Sequence, residues 1–266
     1  MIVRELHGLG ELARCTALEA EVWGVGPREL TPVAVLVAWA DAGGLVSGAF
    51  GKDDPEGLLG FTAAFPSFVA GEPGLHSHQA AVRADLRDRG IGLALKRFQR
   101  TWALERGLRI IRWTCDPLQG RNLHLNLDRL GALGVAYLPD HYGTIGGDLN
   151  GDLPSDRLLV EWRLDSARAA RAAAGEAVGG DEPEAWAVRA GADGLPQAGE
   201  DAGPQDDVRV ALPASLDVLL ARAPEAALAW RLAVREALAP RLAAGAAVKL
   251  ADRAGLVVGV LPTGQT

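Results

Sequence analysis

Two hydrophobic rhythms alternate along this chain, and their order sets out its elements. Residues 2–6 read as a first strand, and over 9–23 Leu12, Cys15, Leu18, Ala20 and Val22 gather near one side of a helix. Thr31 followed by Pro32 is a helix start, an N-cap with proline at the first helical position, and that helix runs to about residue 40. Residues 45–50 and 58–65 are strands joined by the turn-rich GKDDPEG, a hairpin signal. A strand at 75–82 leads through a short charged loop into a helix at 92–106. Its Ile91, Ala94, Leu95, Phe98 and Trp102 keep i, i+3, i+4, i+7 spacing until Gly107 stops it. Residues 109–115 are dense in β-branched and aromatic side chains and read as a buried strand. A helix from about 120 to 130 ends at Gly131, and a strand at 158–164 closes the sheet. The order is β-α-α-β-β-β-α-β-α-β, an α/β (α+β) chain.

Beyond residue 165 the rhythm fades. Residues 166–206 turn to Ala, Gly, Glu, Asp and Pro with little periodicity, the signature of a linker, although Trp186 interrupts it. Periodicity resumes over 207–266, with a strand at 208–212, helices at 216–221 and 225–243, and strands at 248–250 and 256–261. The expected organisation is a first domain over 1–165, a linker over 166–206 and a small C-terminal α/β extension over 207–266. An extension of about sixty residues is marginal alone, so it is expected to pack on the first domain or on a partner.

Composition narrows the function. A chain of 266 residues, 48% hydrophobic and with mean hydropathy +0.08, fills a core. Its net charge of −7 and pI near 5.3 argue against a nucleic-acid partner. Locally, Arg83, Arg87, Arg89, Lys96, Arg97 and Arg100 outnumber Asp85 and Asp88, which suits a small polyanion better than a duplex. Two cysteines, Cys15 and Cys115, are too few for a disulfide framework or a zinc site. The first residues lack the apolar core of a signal peptide and no apolar run reaches bilayer length, so no membrane association and a cytoplasmic location are expected.

The most informative stretch is 75–92, LHSHQAAVRADLRDRGIG. A glycine-bearing loop between a strand and a helix presents unpaired backbone N–H groups, a setting that binds phosphate. Neither GxxxxGK[ST] nor GxGxxG is present, since Leu95 stands at the third glycine. The pattern [QR]xxGx[GA] is filled by Arg87, Gly90 and Gly92, with Val82 five residues ahead of the arginine. This resembles the pyrophosphate loop of the GNAT superfamily of acyl-CoA N-acyltransferases, and the element order over 1–165 is that family's order. The plainer alternative is a βα turn that uses glycine only for geometry.

The resemblance implies a GNAT fold: a mixed, mostly antiparallel sheet with a splayed parallel strand pair, here 75–82 and 109–115, flanked by helices. It implies acetyl-CoA or succinyl-CoA as co-substrate, a small-molecule amine as acceptor, a homodimer and no metal. Pyrophosphate would meet the backbone of Arg87, Asp88, Arg89, Gly90, Ile91 and Gly92. Pantetheine would run along Ala80, Ala81 and Val82, near Asn122 and Asn126, which are four apart on one helix face. An amine attacking the thioester needs a base, and His78, His76 and Asp116 lie on or just past the two strands. His76 and His78 share a strand face, but HxH without a fourth ligand is a poor metal signal. The family's usual tyrosine acid, four residues before the helix-ending glycine, is replaced by Leu127, which leaves Tyr142 and Tyr137 as substitutes.

Further residues, Ser77, His78, Trp113, Thr114, Asp116, Pro117, Asn122, Asn126, Gly131, Tyr137, Tyr142, Gly143, Asp156, Arg157 and Trp162, resemble a GNAT branch with a C-terminal extension that includes amino-acid N-succinyltransferases. That branch implies an amino-acid acceptor, and Arg157, Arg231 or Arg235 as partners for a carboxylate. The missing tyrosine keeps open a non-catalytic module that binds acyl-CoA or a protein. A hydrolase built on Ser77 and His78 is disfavoured, because adjacent strand residues point apart and no GxSxG elbow is present.

Overall fold

Burial and pairing along the chain follow the alternation read from the sequence. The computed structural model describes residues 1–69, 71–143, 153–179, 183–199, 203, 206–252 and 255–260. Two compact units emerge, Met1–Trp113 and Thr114–Thr266.

The first unit carries strands β1 (Ile2–Glu5), β2 (Leu45–Phe50), β3 (Leu58–Val69) and β4 (Glu72–Val82), and most of β5 (Ile110–Cys115), in that spatial order. Neighbours are antiparallel except β4 and β5, which are parallel. Helices α1 (Gly8–Trp23) and α2 (Val33–Asp41) cover one face, where Leu12, Cys15, Leu18 and Leu36 pack on Val46, Phe61, Ala63 and Ala81. Helix α3 (Ile91–Glu105) covers the other, setting Ile91 and Leu95 against Ala49. The α2 start differs slightly from expectation: Pro32 itself, extended at φ −60° and ψ 142°, is the N-cap, and Thr31 is held elsewhere.

One irregularity positions the site. Ala63 pairs with Gln79 and Ala64 with Ser77, so His78 is an extra residue, a β-bulge. The bulge resets the alternation. Gln79 faces α1 while Ser77 faces α3, although residues two apart in a regular strand share a face.

The second unit orders its strands β7 (Arg157–Arg163), β6 (Leu133–Leu138), β11 (Ala246–Ala251), β12 (Gly255–Val260), β10 (Val208–Ala211), β8 (Trp186–Ala190) and β9 (Pro196–Ala198). Its helices are α4 (Gly120–His124), α5 (Ala167–Ala174), α6 (Leu216–Arg222) and α7 (Pro224–Ala243).

Three expectations are corrected here. Strand β6 was not expected, and it lies between α4 and β7 in the chain. The helix expected at 120–130 is α-helical only to His124 and then widens to a π-turn over Leu125–Arg129, with the Leu130 N–H bonded to the Leu125 carbonyl at 3.0 Å. The boundary expected at 165 falls inside the second unit. β6 pairs with β7 and, through Gly134 and Val248, with β11, so residues on both sides of 165 share one unit. The expected linker contains α5, capped by Ser166, and strands β8 and β9; Leu261 of the last expected strand lies outside the described residues.

Candidate active site

A wedge opens in the first unit because β4 and β5 meet only at their N-terminal ends. Leu75 pairs with Ile111 and His76 with Arg112. Gly74 allows this close approach, since a Cβ there would fall 2.5 Å from Ile110 Cγ2 and 2.6 Å from its carbonyl oxygen. Past His76 no further β4–β5 pair forms among the described residues, although β4 continues to Val82. The expected splay of the two strands is thus present, and it leaves backbone groups on the inner edge of β4 to be satisfied from outside the sheet.

Lys96 closes the wedge from the α3 side. Its ammonium is buried, donates to Ser77 Oγ at 2.8 Å and to Gln99 Oε1 at 3.2 Å, and stands 4.0 Å over the ring of Trp113 on β5. The basic cluster inferred from sequence therefore loses Lys96 to the interior, while Arg87, Arg89 and Arg97 are exposed.

On the opposite face the two histidines come together. The His76 ring stacks on Phe65 at 4.9 Å, the His78 ring meets Trp39 edge-on at 5.1 Å, and the two imidazoles are 6.1 Å apart. Trp39 and Phe65 are themselves in contact at 5.0 Å. His78 stays open to solvent on its free side, yet the aromatic packing desolvates it and lowers its pKa below the usual 6.5, which keeps it neutral near pH 7.

Behind the bulge lies a buried carboxylate that sequence reasoning missed. Glu19 of α1 accepts from the Thr31 backbone N–H at 3.1 Å, from Thr31 Oγ1 at 3.2 Å and from Gln79 Nε2 at 2.7 Å. Burial raises its pKa despite these donors. The triad ties α1, the segment before α2 and the residue after the bulge into one piece.

The loop into α3 has the geometry that its glycine pattern foretold. Asp88 at φ 63° and Gly90 at φ 78° both take left-handed conformations. The first helical bond is donated by the Ala94 N–H to the Gly90 carbonyl, so the N–H groups from Arg89 to Leu93 have no acceptor among the described residues. Successive N–H groups in such alternating conformations form an anion-binding concavity. Ala81 is buried, whereas Ala80 on the same strand is exposed.

In the second unit, Asn122 and Asn126 do face one way, with Asn126 Nδ2 donating to Asn122 Oδ1 at 3.3 Å. Asn126 is buried and acts as a brace; Asn122 is exposed and remains able to contact a ligand. Asp116 is drawn elsewhere than expected for a base. It receives both forks of the buried Arg231 guanidinium, at 2.8 and 2.6 Å, and the Leu118 N–H at 2.8 Å. Both of its oxygens are taken up by this fork and the Leu118 N–H, so Asp116 serves the framework. Tyr137 donates to Asp156 at 2.6 Å, and burial, then that bond, drive its pKa upward, which disqualifies it as an acid. Tyr142 is exposed, and its hydroxyl pairs with Thr114 Oγ1 at 2.9 Å. Among the described residues no cluster of three or more His, Cys, Asp or Glu is arranged to hold a metal, and no helix is long and apolar enough to cross a membrane.

No protein-family model and no curated protein matches this chain. Among solved structures it is similar to an aminoglycoside 6'-acetyltransferase type Ii, at 16% identity over 62% of this chain and 97% of that one, with TM-score 0.47. It is similar to the ribosomal-protein-S18-alanine N-acetyltransferase from Escherichia coli, at 15% identity over 62% and 95%, with TM-score 0.48. A putative acetyltransferase from Salmonella typhimurium, solved with its cofactor acetyl-CoA, aligns at 16% identity over 62% and 94%, also with TM-score 0.48. At these identities and scores the functional reading rests on the chain's own geometry.

Proposed function

We propose that this chain is an acyl-CoA-dependent N-acyltransferase of the GNAT type, moving an acetyl or succinyl group to the amine of a small molecule such as an amino acid. One observation carries the reading: a single compact unit combines a strand wedge with a concavity of N–H groups at the start of α3, neither matched by backbone partners among the described residues. In this reading the pyrophosphate takes the N–H groups from Arg89 to Gly92, the Arg87 N–H being turned to the Ala84 carbonyl at 3.5 Å, and the pantetheine amides pair with the free edge of β4 over Ala80, Ala81 and Val82. The thioester lies at the bulge, where a β4 N–H stabilises the developing oxyanion.

Neutral His78 removes a proton from the acceptor's ammonium, and the amine attacks the thioester carbon. The C–S bond breaks, and the thiolate leaves with the electron pair and takes a proton from solvent. His76, stacked on Phe65, holds the ring layer in which His78 sits. Asp116 has no step here.

Calorimetric titration with acetyl-CoA and succinyl-CoA, repeated on Gly90→Val, tests the cofactor site. Apart from its chain neighbours, no described residue comes within 4 Å of a Cβ at Gly90, so valine acts through backbone strain of about 1–2 kcal/mol and by filling the concavity. Binding to the native chain that the variant loses supports the reading; no binding of either thioester overturns it. Binding without thiol release across an amine panel would instead favour the non-catalytic module, the alternative that Leu127 keeps in view.

A further inference from the structure

Three arginines of the second unit meet two carboxylates, and they are not equally satisfied. Arg231 is spent on Asp116 and Arg235 on Asp156, each through two guanidinium nitrogens, at 2.8 and 2.6 Å and at 2.8 and 2.5 Å. Asp156 accepts further from Tyr137 and from the Asp140 N–H, and burial notwithstanding these donors hold its pKa below the ordinary value. The Asp140 carboxylate is turned to Ser155, accepting from its N–H at 3.1 Å. Arg157, the first residue of β7, is left over. It donates one nitrogen to the Asp156 backbone carbonyl at 2.8 Å, approaches Asp116 only to 3.9 Å, and lies 5.4 Å from the Tyr142 ring centroid.

Its side chain is 14% exposed, so the guanidinium has given up most of its water without gaining a bidentate partner among the described residues. That is costly for a charge unless something else completes the fork. The side chain is also clamped between the Asp156 carbonyl and an aromatic ring, so little rotamer freedom remains to be lost on binding. Beside it, the hydroxyls of Thr114 and Tyr142 pair with each other at an exposed position, and two hydroxyls joined in this way keep a donor for a third group.

We propose that Arg157, with Thr114 and Tyr142, forms a binding site for the carboxylate of a small molecule. The planar fork suits a carboxylate, and the hydroxyl pair supplies the further donor. In the N-acyltransferase reading, on which its role but not its existence rests, that carboxylate belongs to an amino-acid acceptor or to the far end of a succinyl donor.

Arginine side-chain Nε–Hε resonances of ¹⁵N-arginine-labelled protein, titrated with succinate and with succinamide, read the site directly, and loss of one signal in Arg157→Lys assigns it. The expected result is a saturable shift of the Arg157 signal with succinate in the millimolar range and none with succinamide, weakened about tenfold or more in Thr114→Val. An unmoved signal at tens of millimolar succinate, or equal shifts with both compounds, overturns the proposal whatever the protein does with acyl-CoA. The source is then distinguished on Arg157→Gln. Succinyl-CoA weakened relative to acetyl-CoA identifies the donor, and lost preference for amino acids over their amides identifies the acceptor. Failure of both thioesters to bind the native chain, with the succinate shift intact, would sink the acyltransferase reading alone.

Discussion

His76 and His78 on β4, and Arg231 and Arg235 on α7, are two pairs of reactive-looking side chains that spacing alone treats alike. Their surroundings separate them. Arg231 is buried and Arg235 partly so, and each closes a two-point bond on a carboxylate that has further donors of its own. His78 instead meets Trp39 edge-on, is desolvated by that packing and keeps a solvent-facing side, while His76 stacks on Phe65. A polar side chain whose partners are saturated serves the fold; one whose partners are apolar keeps its chemistry. The same test moves Asp116 from the candidate bases to the framework.

The largest effect should come from breaking an arginine pair. Asp116→Ala leaves the buried Arg231 charge uncompensated and should cost about 3–5 kcal/mol in denaturant unfolding; a folded, fully stable variant with lost activity would restore Asp116 as a base. Next, His78→Ala should lower turnover by about 10²–10⁴-fold while leaving stability within about 1 kcal/mol. Since the folded pKa of His78 lies below 6.5, the acidic limb of the native kcat/KM profile should break below that value and disappear in the variant. A break above 6.5 would point to another base.

Glu19 sits between the two classes, being buried and held by neutral donors, the Thr31 N–H and hydroxyl and the Gln79 amide. Glu19→Ala strands the Thr31 N–H and should cost about 2–3 kcal/mol, whereas Glu19→Gln should cost less. A carboxyl whose folded pKa is raised stabilises most below its unfolded value near 4.5 and loses that contribution as pH rises through the folded value. The stability gap between Glu19→Gln and the native chain should therefore move in favour of the glutamine as pH rises; a flat gap would mean that Glu19 is not perturbed. The smallest change is expected from Tyr142→Phe, a loss of up to about tenfold in turnover if thiolate protonation does not limit the rate. A loss beyond a hundredfold would make Tyr142 an obligatory acid.

Much of the first unit was legible because its elements are long and periodic, and because the loop into α3 is punctuated by glycines whose backbone demands are local. What escaped was non-local or short. β6 reads LGVAYL, too brief and too interrupted by Gly134 and Ala136 for alternation to mark it. The Ala-rich composition of 166–206 concealed α5, whose cap and helix propensity are ordinary. Lys96 looks like surface charge when the helix stripe runs through Phe98, which is only half-buried. The buried face also includes Gln99 and Ala103, three and seven residues after Lys96. Arg231 meets Asp116 across 115 residues of chain, and no local pattern announces such a pair.

The bulge in β4 has a consequence for chain length. Removing residue 78 would bring Ser77 next to Gln79, and adjacent residues of a regular strand already point to opposite faces, as these two do. Every other β4 side chain would keep its neighbour on β3, from Val82 opposite Gly60 to Glu72 opposite Val69. In β4, then, His78 is a one-residue insertion into an otherwise regular strand: the ladder with β3 closes without it.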